Sequence, residues 1–397
     1  MKQIKGFSLI ELLVAVAITI LLIGVTLSML TQAEHTTEGV ALQANVQENL
    51  RAGMHFIVRD LMQAGEGISP GGILFPGASG VNRPGTSPAT TFPVAYTYLP
   101  ALNPGWQLGQ PMTGVDATTG QMINAGATNS DILNLLYADN TLVDSSGGAS
   151  PPFLNSFPVI QGPVPGPACA GVLPAAGSSV TLDPACFTMP GPPPTPIAVG
   201  NLMMFSNNNG TALAYVTGVA GQVINFDPGD PAGLNGLGVA VPGSLANLLS
   251  KGAAPTTITR VWMVTYYLDT ATNPTRPQLM RQVNYPGYPA GAPADPPLAI
   301  ADGIEALQFT YDIINSSAPA GTYPNGAGDA PAPNPLFDNP SQIRAANVFL
   351  AGRSEYAYTG AGVPRFFRNN LSTQVSIRSL SFSNQFNTSA TAPSAAP

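Results

Sequence analysis

The hydrophobic pattern divides the chain into two unequal parts. From Phe7 to Leu30 the sequence FSLIELLVAVAITILLIGVTLSML carries a single ionisable side chain, Glu11. Leu12 to Leu30 is 19 residues without a charge, which as a helix spans roughly 28 Å, close to the hydrocarbon thickness of a bilayer. Lys2 and Lys5 lie on its N-terminal side, so the positive-inside bias places that short segment in the cytoplasm and the remainder across the membrane. A secretory signal would end in a small-residue cleavage site. The exit here, Leu27-Ser28-Met29-Leu30-Thr31-Gln32-Ala33, offers a poor one.

The pattern then becomes amphipathic. No proline occurs from Thr31 to Ala64, and apolar residues recur at Val46, Leu50, Met54, Ile57, Val58, Leu61 and Met62. Spacings of three and four place them on one face of a helix, with Gln47, Glu48, Asn49, Arg51, Arg59 and Asp60 filling the rest. Gly65, Gly67, Pro70, Gly71 and Gly72 end it. The pattern therefore predicts one helix from Ser8 to Ala64, about 57 residues and roughly 85 Å long. Residues 67–130 and 144–195 read as loop-rich. Strands are expected at Asp131–Ala138, Ile197–Ser206, Ala212–Val219, Gln222–Phe226, Ile258–Leu268, Gln278–Val283, Ile304–Ile314, Ile343–Ala351 and Ser372–Phe382, where β-branched and aromatic residues concentrate. The expected organisation is a leader (1–6), a transmembrane helix (7–30), its amphipathic continuation (31–66), a β-rich head (67–386) and a disordered Ser/Ala/Thr/Pro tail (387–397).

Glu11 is the anomaly in the apolar run, because an ionisable group inside a membrane segment is costly and marks a functional position by default. Gly6-Phe7-Ser8-Leu9-Ile10-Glu11, followed by an unbroken apolar helix, resembles the class III signal of type IV prepilins and type II secretion pseudopilins. Three later blocks resemble PilW-type minor pilins: Pro297 to Tyr311 (PLAIADGIEALQFTY), Asn347 to Ser354 (NVFLAGRS), and Arg365 to Leu380. The middle of the chain, 67–250, is recognisable only as a long insertion-rich head. Major pilins often carry a helix-kinking proline in the membrane segment, and this sequence has none there.

The resemblance implies an α+β pilin-like protein, its long helix packed on an antiparallel β-sheet head with long loops. It implies that an inner-membrane prepilin peptidase cuts after Gly6 and methylates the new N-terminus at Phe7. A glycine there lets the scissile backbone approach catalytic groups closely. It also implies that Glu11 pairs with the N-terminal amine of a neighbouring subunit, since charges buried in a helix bundle are tolerated when paired. The expected partners are other pilins and minor pilins, the prepilin peptidase and the inner membrane. The expected location is a single-pass inner-membrane anchor with a periplasmic head, later displayed in a pilus. Priming or capping a type IV pilus is the expected work; a J-type pseudopilin and a pilus-tip adhesin are the rival expectations.

Composition narrows the remaining chemistry. Charged residues are only 9%, while 42 glycines and 41 prolines make up about a fifth of 397 residues. The formal charge of −7 gives no electrostatic footprint for nucleic acid, and none is expected as a partner. His35 and His55 are the only histidines, both on the predicted helix, where a solvated surface role is the ordinary one. No phosphate-cradling Gly-Lys loop and no dinucleotide fingerprint occurs in the required context, so no enzyme activity and no cofactor are expected. Cys169 and Cys186 enclose 16 residues. Outside the cytoplasm a disulfide is the natural reading, with two free thiols as the other, and without nearby histidine they make no closed metal shell. Asp227, Asp230 and Asn235 in DPGDPAGLNG read as turn residues rather than a calcium loop. Tyr285, Tyr288 and Tyr323 are candidate exposed aromatic contacts, with a packing role as the equally ordinary reading.

Overall fold

A computed structural model describes residues 8–69, 71–76, 80–86, 89–92, 98–112, 129–139, 156–161, 171–174, 177–182, 197–252, 255–273, 276–285, 296–313, 322–323, 343–357 and 366–381. The long helix runs uninterrupted over Leu9–Gln63, with Ser8 as N-cap and Ala64 as C-cap. Gly24, Gly39 and Gly53 lie inside it without breaking it. Its end is tied down on both exits: Gly65 N–H donates to the Leu136 carbonyl at 2.8 Å, and the Ser379 hydroxyl donates to the carbonyl of Ala64. The second of these bonds satisfies a backbone carbonyl of the kind that every helix C-terminus leaves open.

The head is almost entirely antiparallel. Among the described residues, twelve strands form one sheet whose hub is Thr256–Asp269. This strand pairs with Leu202–Asn207, Ile132–Ala138, Ser156–Gln161 and Gln278–Val283 along different stretches of its 14 residues. One pair in the sheet is parallel, Ser156–Gln161 with Gly171–Leu173. A four-stranded sheet holds Thr322–Tyr323, Ile304–Ile313, Ile343–Arg353 and Arg368–Ser376 in that spatial order. The chain crosses between the sheets at Gly303, which sits at φ +69° and whose carbonyl accepts from Arg353 N–H at 2.8 Å. A Cβ there would lie 2.6 Å from the Arg353 carbonyl oxygen, so only glycine fits this crossing. Asp131 stitches the sheets together, its carboxylate accepting from Gln107 N–H at 3.0 Å and Phe309 N–H at 2.8 Å.

Several expected elements shift in the structure. Leu202-Met203-Met204-Phe205 is buried on both faces: Met203 and Phe205 join one core with Leu245 and Leu249, while Leu202 and Met204 join another with Phe75 and Phe92. Such a strand reads as a continuous apolar run rather than an alternation. The expected Ala212–Val219 strand is two strands, Gly210–Tyr215 and Gly218–Ala220. The expected Ser372–Phe382 strand instead begins at Arg368 and ends at Ser376, and Arg378–Ser381 is a short helix. The stretches that read as loops contain short strands, among them Leu102–Gly105 and Ser179–Thr181. A helix at Leu245–Ser250, capped by the Ser244 hydroxyl accepting from Asn247 N–H, is an addition to the expected elements.

The second half of the long helix packs into a core with both sheets, through Val46, Leu50, Met54, Ile57, Leu61 and Ala64 against residues such as Leu279, Tyr266, Leu307, Phe309 and Leu350. Val58 is half-buried and Met62 exposed, at the margins of that face. Gly53 marks the closest approach: a Cβ there would lie 2.8 Å from Leu279 Cδ2 and 3.3 Å from Ala301 Cβ. Gly53→Ala gains roughly 1 kcal/mol of helix propensity, which offsets its crowding. Gly53→Leu drives a branched side chain into the seam and is expected to lower stability by about 1–3 kcal/mol, read as a lower urea midpoint for the leucine variant and little change for the alanine variant.

Candidate assembly helix and its seat on the head

The first half of the long helix touches nothing. Its large apolar side chains from Leu9 to Leu30 are 45 to 78% exposed, and the segment is long and apolar enough to cross a membrane. Its threonine hydroxyls are satisfied within the helix: Thr19 donates to the Ala15 carbonyl at 2.7 Å, Thr26 to Leu22 at 3.0 Å and Thr31 to Leu27 at 3.2 Å. A surface that exposes apolar carbon while pairing its threonine hydroxyls suits hydrocarbon, where an unsatisfied polar group costs several kcal/mol.

Glu11 stands at the N-terminal turn of this bare segment. Its Oε2 accepts from the backbone N–H of Ser8 at 3.0 Å, which caps the helix and places a negative charge at the positive end of the helix dipole. Gly6 and Phe7 lie outside the described residues, as do Cys169, Cys186, Tyr288 and the tail 387–397.

Two buried ionic clusters hold the seat of the helix. Asp60, expected on the solvated face, is instead fully buried. Its Oδ2 accepts from the Tyr266 hydroxyl at 2.6 Å and from Arg281 Nε at 2.7 Å, and its Oδ1 accepts from Arg59 Nε at 3.1 Å. Burial and the Asp60 carboxylate push the Tyr266 phenol far above its ordinary range, and burial with the same charge raises Tyr137. Burial works against the Arg281 cation, but the hydrogen bond and charge of Asp60 outweigh it and raise its pKa. Tyr266 is thereby held as a neutral donor and Arg281 as a cation, both aimed at the helix.

The second cluster joins the C-terminal strands. Glu305, also fully buried, accepts from Arg368 Nε at 2.9 Å and Nη2 at 3.3 Å, and pairs with Arg353 Nη1 at 3.2 Å. Both guanidinium groups lie over the Phe366 ring, 4.6 and 5.9 Å from its centroid. Glu305, Arg353 and Arg368 come one from each of the three C-terminal sequence blocks singled out above. Sequence reasoning marks none of Asp60, Tyr266, Arg281, Glu305, Arg353 and Arg368 as a site residue. Asp60 carries a signal nonetheless, because it lies three residues after Ile57 and four before Ala64 on the apolar face.

His35 and His55 are exposed on the helix, as expected. Asp230 spends both carboxylate oxygens on the backbone N–H groups of Leu234 and Asn235 at 3.1 and 2.9 Å. Asn235 bridges Tyr215 and the Asp227 carbonyl, so the DPGDPAGLNG segment is a closed turn. Among the described residues no group of three or more His, Cys, Asp or Glu side chains is placed to hold a metal ion. Of the two readings open for Tyr285, exposed contact or packing, the structure shows packing: it is buried, with its hydroxyl donating to the Asn82 carbonyl at 2.7 Å. Its ring packs edge-on to Tyr215, and burying that aromatic area outweighs leaving it in water.

The family model of the prokaryotic N-terminal methylation motif matches residues 1–27. The N-terminus carries this methylation motif. The motif supports a pilin- or pseudopilin-like role in pilus or secretion assembly, and the bare apolar helix fits a membrane anchor. The match covers residues 1–6, Glu11 and most of the apolar run, and leaves the head uncovered. No curated protein and no solved structure matches the chain.

Proposed function

We propose that this chain is a minor pilin of the PilW type, working in the priming or tip complex of a type IV pilus. The observation that carries the reading is a single helix that begins with the methylation motif, is bare over Leu9–Leu30 and is clamped to a β-rich head over Val46–Ala64. Such a helix transmits packing in the membrane directly to the position of the head. In this reading residues 1–6 are a leader removed between Gly6 and Phe7, 7–30 is the membrane anchor, 31–66 its amphipathic continuation and 67–386 the head. Glu11, which caps its own helix in the isolated chain, exchanges the Ser8 N–H for the charged amine of Phe7 in a neighbour, a charge-assisted bond of roughly twice the strength. The large head suits a tip position, because a bulky subunit repeated along a shaft would disturb tight helical packing.

Mass spectrometry of the N-terminal peptide from cells tests the reading. A chain beginning at Phe7 and carrying one methyl group is the expected result; a chain beginning at Met1 in processing-competent cells would make it a permanent signal anchor and end the pilin proposal. The motif is shared with pseudopilins of secretion systems, so a deletion strain decides between the assemblies. Loss of surface pili with intact enzyme secretion is expected, and the opposite pattern would move the chain to the J-type pseudopilins.

A further inference from the structure

The four-stranded sheet ends on an open strand. Among the described residues, Arg368–Ser376 pairs on one side only, with Ile343–Arg353. Ser354 N–H donates to the Phe367 carbonyl at 2.8 Å, and Ile377 N–H to the Arg344 carbonyl at 2.9 Å. The register between these two bonds is unbroken, so odd-numbered positions bond inward and the backbone groups of Asn370, Ser372 and Gln374 point out of the sheet. The Asn370 N–H is capped by the Asn369 side chain at 2.9 Å. The outward N–H groups of Ser372 and Gln374 have no partner among the described residues. Sheet edges are ordinarily guarded by shortness, proline, bulges or charge. This strand is nine residues long, without proline or bulge, and its one charge, Arg368, is spent on Glu305.

An apolar margin runs beside that edge. Val58 and Met62 lie about 160° around the long helix from Asp60. The Tyr266 and Arg281 partners of Asp60 belong to the twelve-stranded sheet, so Val58 and Met62 border the smaller one, on which the helix also packs. Met62 is 48% exposed. Leu371 and Thr373, on the helix side of the open strand, are only half-buried. One further strand at this edge would pair the outward N–H groups and cover the margin together.

We infer that this strand is supplied by the chain's own continuation, residues 382–387, folding back antiparallel along Arg368–Ser376. The chain is already held in place to do so: the single turn Arg378–Ser381 is fixed at the end of the long helix by the Ser379 hydroxyl on the Ala64 carbonyl. With Phe382 opposite Val375, the connection is residues 377–380, within the usual span of a hairpin. Asn384 then lies opposite Thr373 and Phe386 opposite Leu371, which puts both rings on the helix side, against Leu371 and the Met62 margin. Ser383, Gln385 and Asn387 face Gln374, Ser372 and Asn370, polar against polar, at the positions whose backbone groups are open. No glycine, proline or charge interrupts residues 382–392. A segment tethered by so short a connection has an effective concentration in the millimolar range, which favours it over a strand from a separate chain. The inference is independent of the pilin reading and adds a fifth strand to the smaller sheet.

Hydrogen exchange of the full-length chain in detergent, resolved to the Ser372 and Gln374 amides, tests this. Exchange at both is expected to be slowed roughly ten- to a hundredfold against the unstructured rate. It should return to that rate in a chain truncated after Ser381, while the inward-bonded Thr373 amide stays protected in both. Phe382→Ser with Phe386→Ser, which keeps the length of the segment, should lose most of the protection. Free exchange in the full-length chain overturns the inference, as does protection unaffected by the double serine change. Protection that survives truncation also overturns it, and assigns the edge to a second copy if it falls on dilution or to another part of the chain if it does not. Ser372→Cys with Gln385→Cys tests the register without truncation. A disulfide joining the two positions within one chain is expected; no bond, or a bond only between two chains, overturns it.

Discussion

Asp60→Ala is expected to lower the stability of the folded chain by about 3–5 kcal/mol, the usual consequence of removing one partner from a buried ion pair. The substitution leaves the Arg281 cation and the Tyr266 hydroxyl aimed at a cavity in the core between helix and sheet. For a head of this size the shift in thermal midpoint is on the order of 10 °C, measurable on the detergent-solubilised chain through the near-ultraviolet signal of Trp262. Asp60→Asn tests the cause, since it retains an acceptor for Tyr266 but not the charge that Arg281 requires. The triple change Asp60→Leu, Arg281→Met and Tyr266→Phe replaces the cluster by apolar groups of similar volume and should recover most of the loss. A midpoint for Asp60→Ala within a degree of the parent would show that water reaches Arg281 and that the cluster does not hold the helix.

The location of that cluster explains why it matters beyond stability. Three residues from two distant parts of the chain, Asp60 on the helix and the paired Tyr266 and Arg281 on adjacent strands, meet in the last turn of the seated half of the helix. Apolar contacts between helix and sheet would tolerate sliding by a turn; directional bonds to one carboxylate do not. The Glu305 cluster acts on the other side of the same core, fixing Ile304–Ile313 against Ile343–Arg353 and Arg368–Ser376. Rotation or displacement of the helix is thereby carried to the head as one body.

The parts of this arrangement that depend on local pattern are legible in the sequence, and the parts that depend on distant pairing are not. The helix is readable to within a residue at each end, because a 19-residue uncharged run and a spacing of three and four extend over many turns. Thr256–Asp269 is readable because β-branched and aromatic residues fill it. Asp60 escapes the pattern because a polar residue reads as exposed, although its position on the three–four ladder points inward; its partners lie 206 and 221 residues away. The two-residue strands Ile73–Leu74 and Tyr98–Leu99 exist only by pairing with each other, and no window of sequence that short carries a period. Ser372–Phe382 fails for a related reason: Leu371, Thr373, Val375 and Ile377 keep the inward alternation, but strand pairing ends at Ser376 and Arg378–Ser381 turns into a short helix.

Glu11→Ala is the substitution expected to change function most while changing the head least. Glu11 contacts only its own N-cap among the described residues, through the Ser8 N–H, and lies far along the helix from the seated half. Losing that cap costs about 1 kcal/mol of helix end stability and leaves the core untouched. On the proposed reading the assembly loses far more, because the amine of Phe7 in the neighbour is left unpaired in a helix bundle, at a penalty of about 3–5 kcal/mol per contact, or roughly a hundred- to several thousandfold in occupancy. Cleavage after Gly6 should persist, since the scissile segment is unchanged. The measurement is the ratio of chain recovered in sheared surface filaments to chain in membranes, with the N-terminal peptide confirming processing. Glu11→Gln separates charge from capping: it preserves an acceptor for the Ser8 N–H and should assemble as poorly as alanine. Glutamine assembling at the parental level would assign Glu11 to helix capping alone and remove the charge pair from the mechanism.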